Sequence, residues 1–157
     1  MMYVLNAEEN RETNTEIKTG WERGELKQTY YTTDGESQPE TYHSEDTEHY
    51  ESADYFSDPA LAADVARAQT IWRKLMRWQV ENDKPVDWSD NGENKKWFIF
   101  YNYYTGKFST KYVFGGREAF NVYFSTKEKA EQALETFHDD LLWLFTEFKY
   151  RLDGDAE

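Results

Sequence analysis

Apolar positions along the chain fall into blocks of two different periods. Between Lys95 and Phe124, rings and β-branched residues run in short stretches: Lys96 to Tyr104, Phe108 to Phe114 and Ala119 to Phe124. The breaks lie at Thr105-Gly106 and Gly115-Gly116. Runs of this kind bounded by glycine predict strands. A Ser125-x-x-Glu128 capping box then opens a helical period carrying Ala130, Ala133, Leu134, Phe137, Leu141, Leu144, Phe145 and Phe148. That pattern predicts a helix over about 126–152 and a unit of the form β-β-β-α. Upstream, Leu61, Val65, Ala68, Trp72 and Leu75 recur at helical spacing, widened by Ile71 and Trp78. With Asp58 placed to cap and Pro59 in the first turn, a helix over about 59–81 follows. Leu26–Thr32 reads as a strand ending in a Thr33-Asp34-Gly35 turn. Glu40–His43 and Glu45–Glu51 also read as strands, in a very acidic setting.

The two halves repeat one another. Tyr30-Tyr31-Thr32 and then Asp34-Gly35 parallels Tyr103-Tyr104-Thr105-Gly106, and Tyr55-Phe56-Ser57 parallels Tyr123-Phe124-Ser125. The predicted fold is α+β: two degenerate β-meander-plus-helix repeats, their antiparallel, aromatic-rich sheet packed by two long helices. The expected segments are a flexible N-terminal arm (1–20), a first, acidic unit (21–82), a linker (83–94), a second unit (95–152) and an acidic tail (153–157). Trp72, Leu75, Phe137, Leu141 and Phe145 are expected in the core. Repeats bury their faces against each other or against another copy of the chain, so a homodimer is one expected arrangement.

Charge changes this picture more than composition does. The 157 residues carry a net charge of −13 and no cysteine, which removes disulfides and thiolate chemistry. Residues 1–58 hold 15 Asp and Glu against 4 Lys and Arg. Between Glu36 and Asp58 there are eight carboxylates and neither Lys nor Arg. Nucleic-acid affinity comes largely from cations meeting phosphates, so direct binding by this segment is disfavoured, whereas a basic partner or mimicry of a polyanion is favoured. By contrast Arg67, Lys74 and Arg77 form a basic row on the first helix and are expected to meet acidic groups. No apolar run approaches the ~20 residues of a membrane span, and the N-terminus lacks a signal-peptide pattern. A soluble, cytoplasmic protein is expected.

Chemistry is sparse. His43 and His49 lie among Glu45, Asp46, Glu48 and Glu51, but at no metal-ligand spacing, and Gly115-Gly116 lacks the Lys-Ser/Thr context of a phosphate loop. No catalytic residue, metal site or cofactor is assigned, and an enzyme is not expected. The aromatic strand at Trp97–Tyr104 is apolar on both faces, so it is sandwiched between layers or offers one face to bases or to another chain.

With its Tyr-rich strand broken by Asp-Gly, its aromatic-Phe-Ser step into a helix, Asp87-Trp88, Lys96-Trp97-Phe98-Ile99-Phe100-Tyr101 and Val122-Tyr123-Phe124-Ser125-Thr126, the chain resembles small phage-type accessory proteins of Gram-positive hosts. The likeness runs from about Gly20 to Phe148, and its motifs are structural punctuation rather than chemistry. It implies an anti-defence role by analogy. On that reading the partner is a host defence or nucleic-acid-handling protein with a basic groove. The contact surface is Glu36, Glu40, Tyr42, Glu45, Asp46, Glu48, Tyr50, Glu51, Asp54, Tyr55 and Asp58, in an anti-CRISPR-like inhibitor. The alternatives are nucleic-acid or nucleotide binding on the aromatic sheet and a structural assembly module.

Overall fold

Turn residues and buried rings set the first hairpin. A computed structural model describes residues 18–152; most of the expected N-terminal arm and the acidic tail lie outside them. Gly35, at φ +91°, closes the Thr33-Asp34-Gly35 turn, a conformation that favours glycine. Strand β1 (Thr29–Tyr31) pairs antiparallel with β2 (Ser37–Pro39), Tyr30 opposite Gln38. The segment expected as further strand is instead a helix, α1 (Ser44–Glu51). It has no β-branched run, and Glu45 and Asp46 in its first turn complement the helix dipole. Helix α2 (Pro59–Asn82) starts where the pattern places it, with Asp58 Oδ1 accepting the Leu61 N–H at 2.9 Å.

The fold is α+β, and it divides into two compact units. Residues 18–67 with 149–152 belong to one and Ala68–Phe148 to the other, so the boundary falls inside α2 rather than in the 83–94 linker. In the first unit Phe56, Leu61 and Ala62 are buried against Trp21, Tyr31 and Val65. Gly20 (φ +85°) lies tight against this core: a Cβ there would sit 2.5 Å from Leu61 Cδ2.

In the second unit β3 (Lys96–Asn102) pairs antiparallel with β4 (Lys107–Val113), Trp97 opposite Tyr112 and Tyr101 opposite Phe108. The expected third strand at 119–124 reduces to one bridge, Trp97 with Phe124. Its backbone is satisfied otherwise: Trp72 Nε1 donates to the Phe120 carbonyl at 3.0 Å, and Asn121 N to Glu118 O at 3.3 Å. The expected single long helix is two, α3 (Lys127–Thr136) and α4 (His138–Thr146), broken at Phe137 (φ −111°, ψ 19°). Thr136 Oγ1 bonds back to the Gln132 carbonyl, which bends a helix, while Asp139 and Asp140 favour a new start. Thr126, not Ser125, caps α3.

The repeat survives in geometry. Tyr31 and Phe56 exchange both backbone hydrogen bonds at 2.9 Å, and Trp97 and Phe124 do the same at 2.9 and 2.7 Å. Each unit is thus a two-stranded hairpin whose first strand holds the aromatic-Phe-Ser step. The sequence parallel between Tyr30-Tyr31 and Tyr103-Tyr104 gives way to one between Tyr31 and Trp97.

Of the expected core, Leu75 and Leu141 are buried, whereas Trp72, Phe137 and Phe145 are half-buried. The second core gathers Ile71, Leu75, Ile99, Phe124, Ala130, Ala133 and Leu141. Lys74 and Arg77 are exposed and form no ion pair with a described residue. Leu141→Ala is expected to cost about 2–5 kcal/mol, the range for a large-to-small core change, read by urea denaturation. Gly20→Ala, forced into left-handed backbone against Leu61, is expected to cost at least about 1 kcal/mol in the same assay.

Candidate partner-binding surface

The acidic segment is an ordered structure built around two buried carboxylates. Asp46, 3% exposed, stands in the first turn of α1 and turns inward. Its Oδ1 accepts the Tyr30 hydroxyl at 2.9 Å; its Oδ2 accepts the Thr41 hydroxyl, the Thr41 N–H at 2.9 Å and the His43 N–H at 3.3 Å. One side chain therefore joins β1, the 41–43 loop and the start of α1. The Thr41 hydroxyl first, with the Thr41 N–H, Tyr30 and His43 adding to it, holds the Asp46 carboxyl well below the usual carboxylate range. Burial beside Asp46 pushes the Tyr30 hydroxyl up.

Glu40 is fully buried. Burial works to raise its pKa, but hydrogen bonds from Tyr55 (2.8 Å), Arg23 (3.3 Å) and the Tyr42 N–H (2.8 Å) outweigh it and leave the carboxyl lowered. Burial and the Glu40 carboxylate push the Tyr55 hydroxyl up to about 12, against the Gly24 N–H that it accepts. Tyr55 stacks on Tyr30, ring centroids 4.0 Å apart.

These contacts divide the predicted surface. Glu40, Asp46 and Tyr55 are buried, so they cannot meet a partner, and their place in the expected contact surface is corrected. A short segment charged with carboxylates alone gives no sign of which one turns inward; the tyrosine and threonine donors decide it. Asp54 and Asp58 are half-buried and bound to backbone, Asp54 to the Thr33 N–H at 2.7 Å and Asp58 as the α2 cap. Glu36, Tyr42, Glu45, Glu48, Tyr50 and Glu51 are exposed. Glu45, Glu48 and Glu51 follow at three-residue steps on α1. Tyr42, with φ +59°, is held in left-handed backbone by Glu40, and its hydroxyl accepts the Leu26 N–H at 3.0 Å. Tyr50 meets the edge of Tyr55 at 5.5 Å, with Arg23 over its ring at 5.2 Å. Arg23, which the acidic pattern leaves unmarked, therefore organises the site: it touches Glu40, Tyr50 and Thr47.

Among the described residues no cluster of His, Asp and Glu is arranged to hold a metal, and no helix is long and apolar enough to cross a membrane. His49 lies against Tyr30, while His43 is exposed.

Because the folded pKa values of Asp46 and Glu40 are depressed, their stabilisation is complete above the unfolded carboxylate values near 4 and is lost as pH falls below them. Thermal melts are expected to show a steep loss of stability between roughly pH 4 and pH 2. Asp46→Asn is expected to lower stability near neutrality by about 1.5–3 kcal/mol, the scale of charge-assisted hydrogen bonds, and to flatten the acid-side loss.

The chain matches no protein family, and comparison with curated proteins and with solved structures likewise gave no match.

Proposed function

We propose that the first unit is a non-enzymatic inhibitor module whose acidic helix occupies a basic, nucleic-acid-binding groove on a host defence protein. The observation that carries this reading is the exposed row Glu45, Glu48 and Glu51 on a helix fixed from within by Asp46. Residues three apart on a helix rise about 4.5 Å along its axis, comparable with the ~3.4 Å between charges along one DNA strand. A groove that accepts phosphates at that pitch accepts this row. Tyr42 (57% exposed) and Tyr50 (43%) are exposed on the same segment and add apolar contact to the charged surface. The charge of the segment steers association with a basic target and suppresses acidic ones.

The resemblance to phage accessory proteins supplies the anti-defence part, with the host cytoplasm as the place of action. The test is plating of a phage on a host whose nucleic-acid-targeting defence blocks it, with this protein supplied in trans. Wild type is expected to restore plaques, and E45K/E48K/E51K, with Asp46 kept, to lose that effect while melting at the wild-type temperature. Equal restoration by the folded triple variant overturns the acidic-helix reading.

A further inference from the structure

The second unit carries the opposite charge pattern in a different setting. From Lys95 to Arg117 there are five cations, Lys95, Lys96, Lys107, Lys111 and Arg117, and no carboxylate. The register of the β3–β4 hairpin sorts its side chains. Trp97, Ile99 and Phe108 face the core formed with α3 and α4. Phe98, Phe100, Lys107 and Lys111 share the other face, since Phe98 pairs with Lys111 and Asn102 with Lys107. The two rings are half-buried and the two lysines exposed. Lys111 Nζ lies 3.5 Å from the centre of the Phe100 ring.

The aromatic track continues past the strand. Phe98 meets Tyr123 at 5.8 Å, Tyr123 meets Trp88 at 4.8 Å, and Arg117 lies over Trp88 at 5.4 Å. Phe98, Phe100 and Trp88 are half-exposed around the buried Tyr123, with Lys111 at one end and Arg117 at the other, which matches the requirements of a base-stacking platform with phosphate partners alongside. The whole-chain charge of −13 does not describe this face.

We infer that the outward face of the β3–β4 hairpin binds a short stretch of single-stranded nucleic acid. A base takes the place of Lys111 over Phe100, and Lys111 moves to the adjoining phosphate. Lys107 and Arg117 pair with phosphates on either side. Duplex DNA, whose bases are already stacked, is excluded from the rings. This site is separate from the acidic helix and does not rest on the inhibitor reading.

Fluorescence anisotropy with a labelled oligothymidylate of about ten nucleotides, at low salt, tests it. Wild type is expected to bind this probe more tightly than a duplex of equal length. Affinity is expected to fall with salt at a slope of roughly −0.7 per phosphate contacted. Phe100→Ser is expected to weaken binding by roughly tenfold, within the range for losing one stacking ring. K107E/K111E, altered only at exposed positions, is expected to weaken it at least as much, whereas E45K/E48K/E51K retains binding. Absence of binding at low salt, equal affinity for duplex, or unchanged affinity in folded K107E/K111E each overturns the inference.

Discussion

One pair of backbone hydrogen bonds in each unit joins the hairpin to the start of the following helix, and the rest of that unit depends on it. A two-stranded hairpin is marginal alone in water. Here Tyr31 clasps Phe56 and Trp97 clasps Phe124, and both phenylalanines are fully buried. The hydrogen bonds themselves contribute about 0.5–1.5 kcal/mol each, whereas burying a Phe side chain contributes about 1.5–3. The two hydrogen bonds of a clasp and the ring that it buries are thus of similar weight, and the hydrogen bonds also fix where the ring enters the core. Once the ring is placed, the next few residues cap a helix in both units, through Asp58 in the first and Thr126 in the second.

The units differ in the ion each one buries. The first encloses Glu40 and Asp46, met by hydroxyls, backbone N–H groups and Arg23. The second encloses Lys96, whose Nζ reaches Asp90 at 2.7 Å and the Asn94 carbonyl at 2.9 Å, beneath the Trp88 ring. A buried ion stripped of its partner is strongly destabilising, so each such group restricts the chain to arrangements that satisfy it. In the first unit the effect reaches the surface: because Asp46 faces inward on α1, Glu45, Glu48 and Glu51 face out. The acidic surface is a consequence of the buried acid.

Periodicity carried the long elements and failed where short polar segments decide. Helix α2 was legible almost to the residue because its stripe, its Asp58 cap and Pro59 agree. The aromatic hairpin was legible from its glycine breaks. Helix α1 was not, since eight residues of mixed polarity show no apolar stripe and its stability comes from Asp46 and Tyr30, which are distant in sequence. The break at Phe137 was hidden because the apolar period runs through it unchanged. The same blindness affected the candidate surface: composition marked Glu36–Asp58 as acidic but could not separate Asp46, which holds the fold, from Glu45, which meets solvent. The cation-only stretch from Lys95 to Arg117 was visible in the sequence. Its grouping with Phe98 and Phe100 on one side of the sheet required the strand register.

The spacing of the acidic row has a geometric consequence. Three residues turn an α-helix by about 300°, so each successive carboxylate slips by about 60° around the axis. Glu45, Glu48 and Glu51 therefore form a fan of about 120° rather than a straight line. A flat basic surface meets two of them at best, whereas a concave wall that wraps the helix meets all three. Curvature of the target, beyond its charge, becomes a criterion for selection.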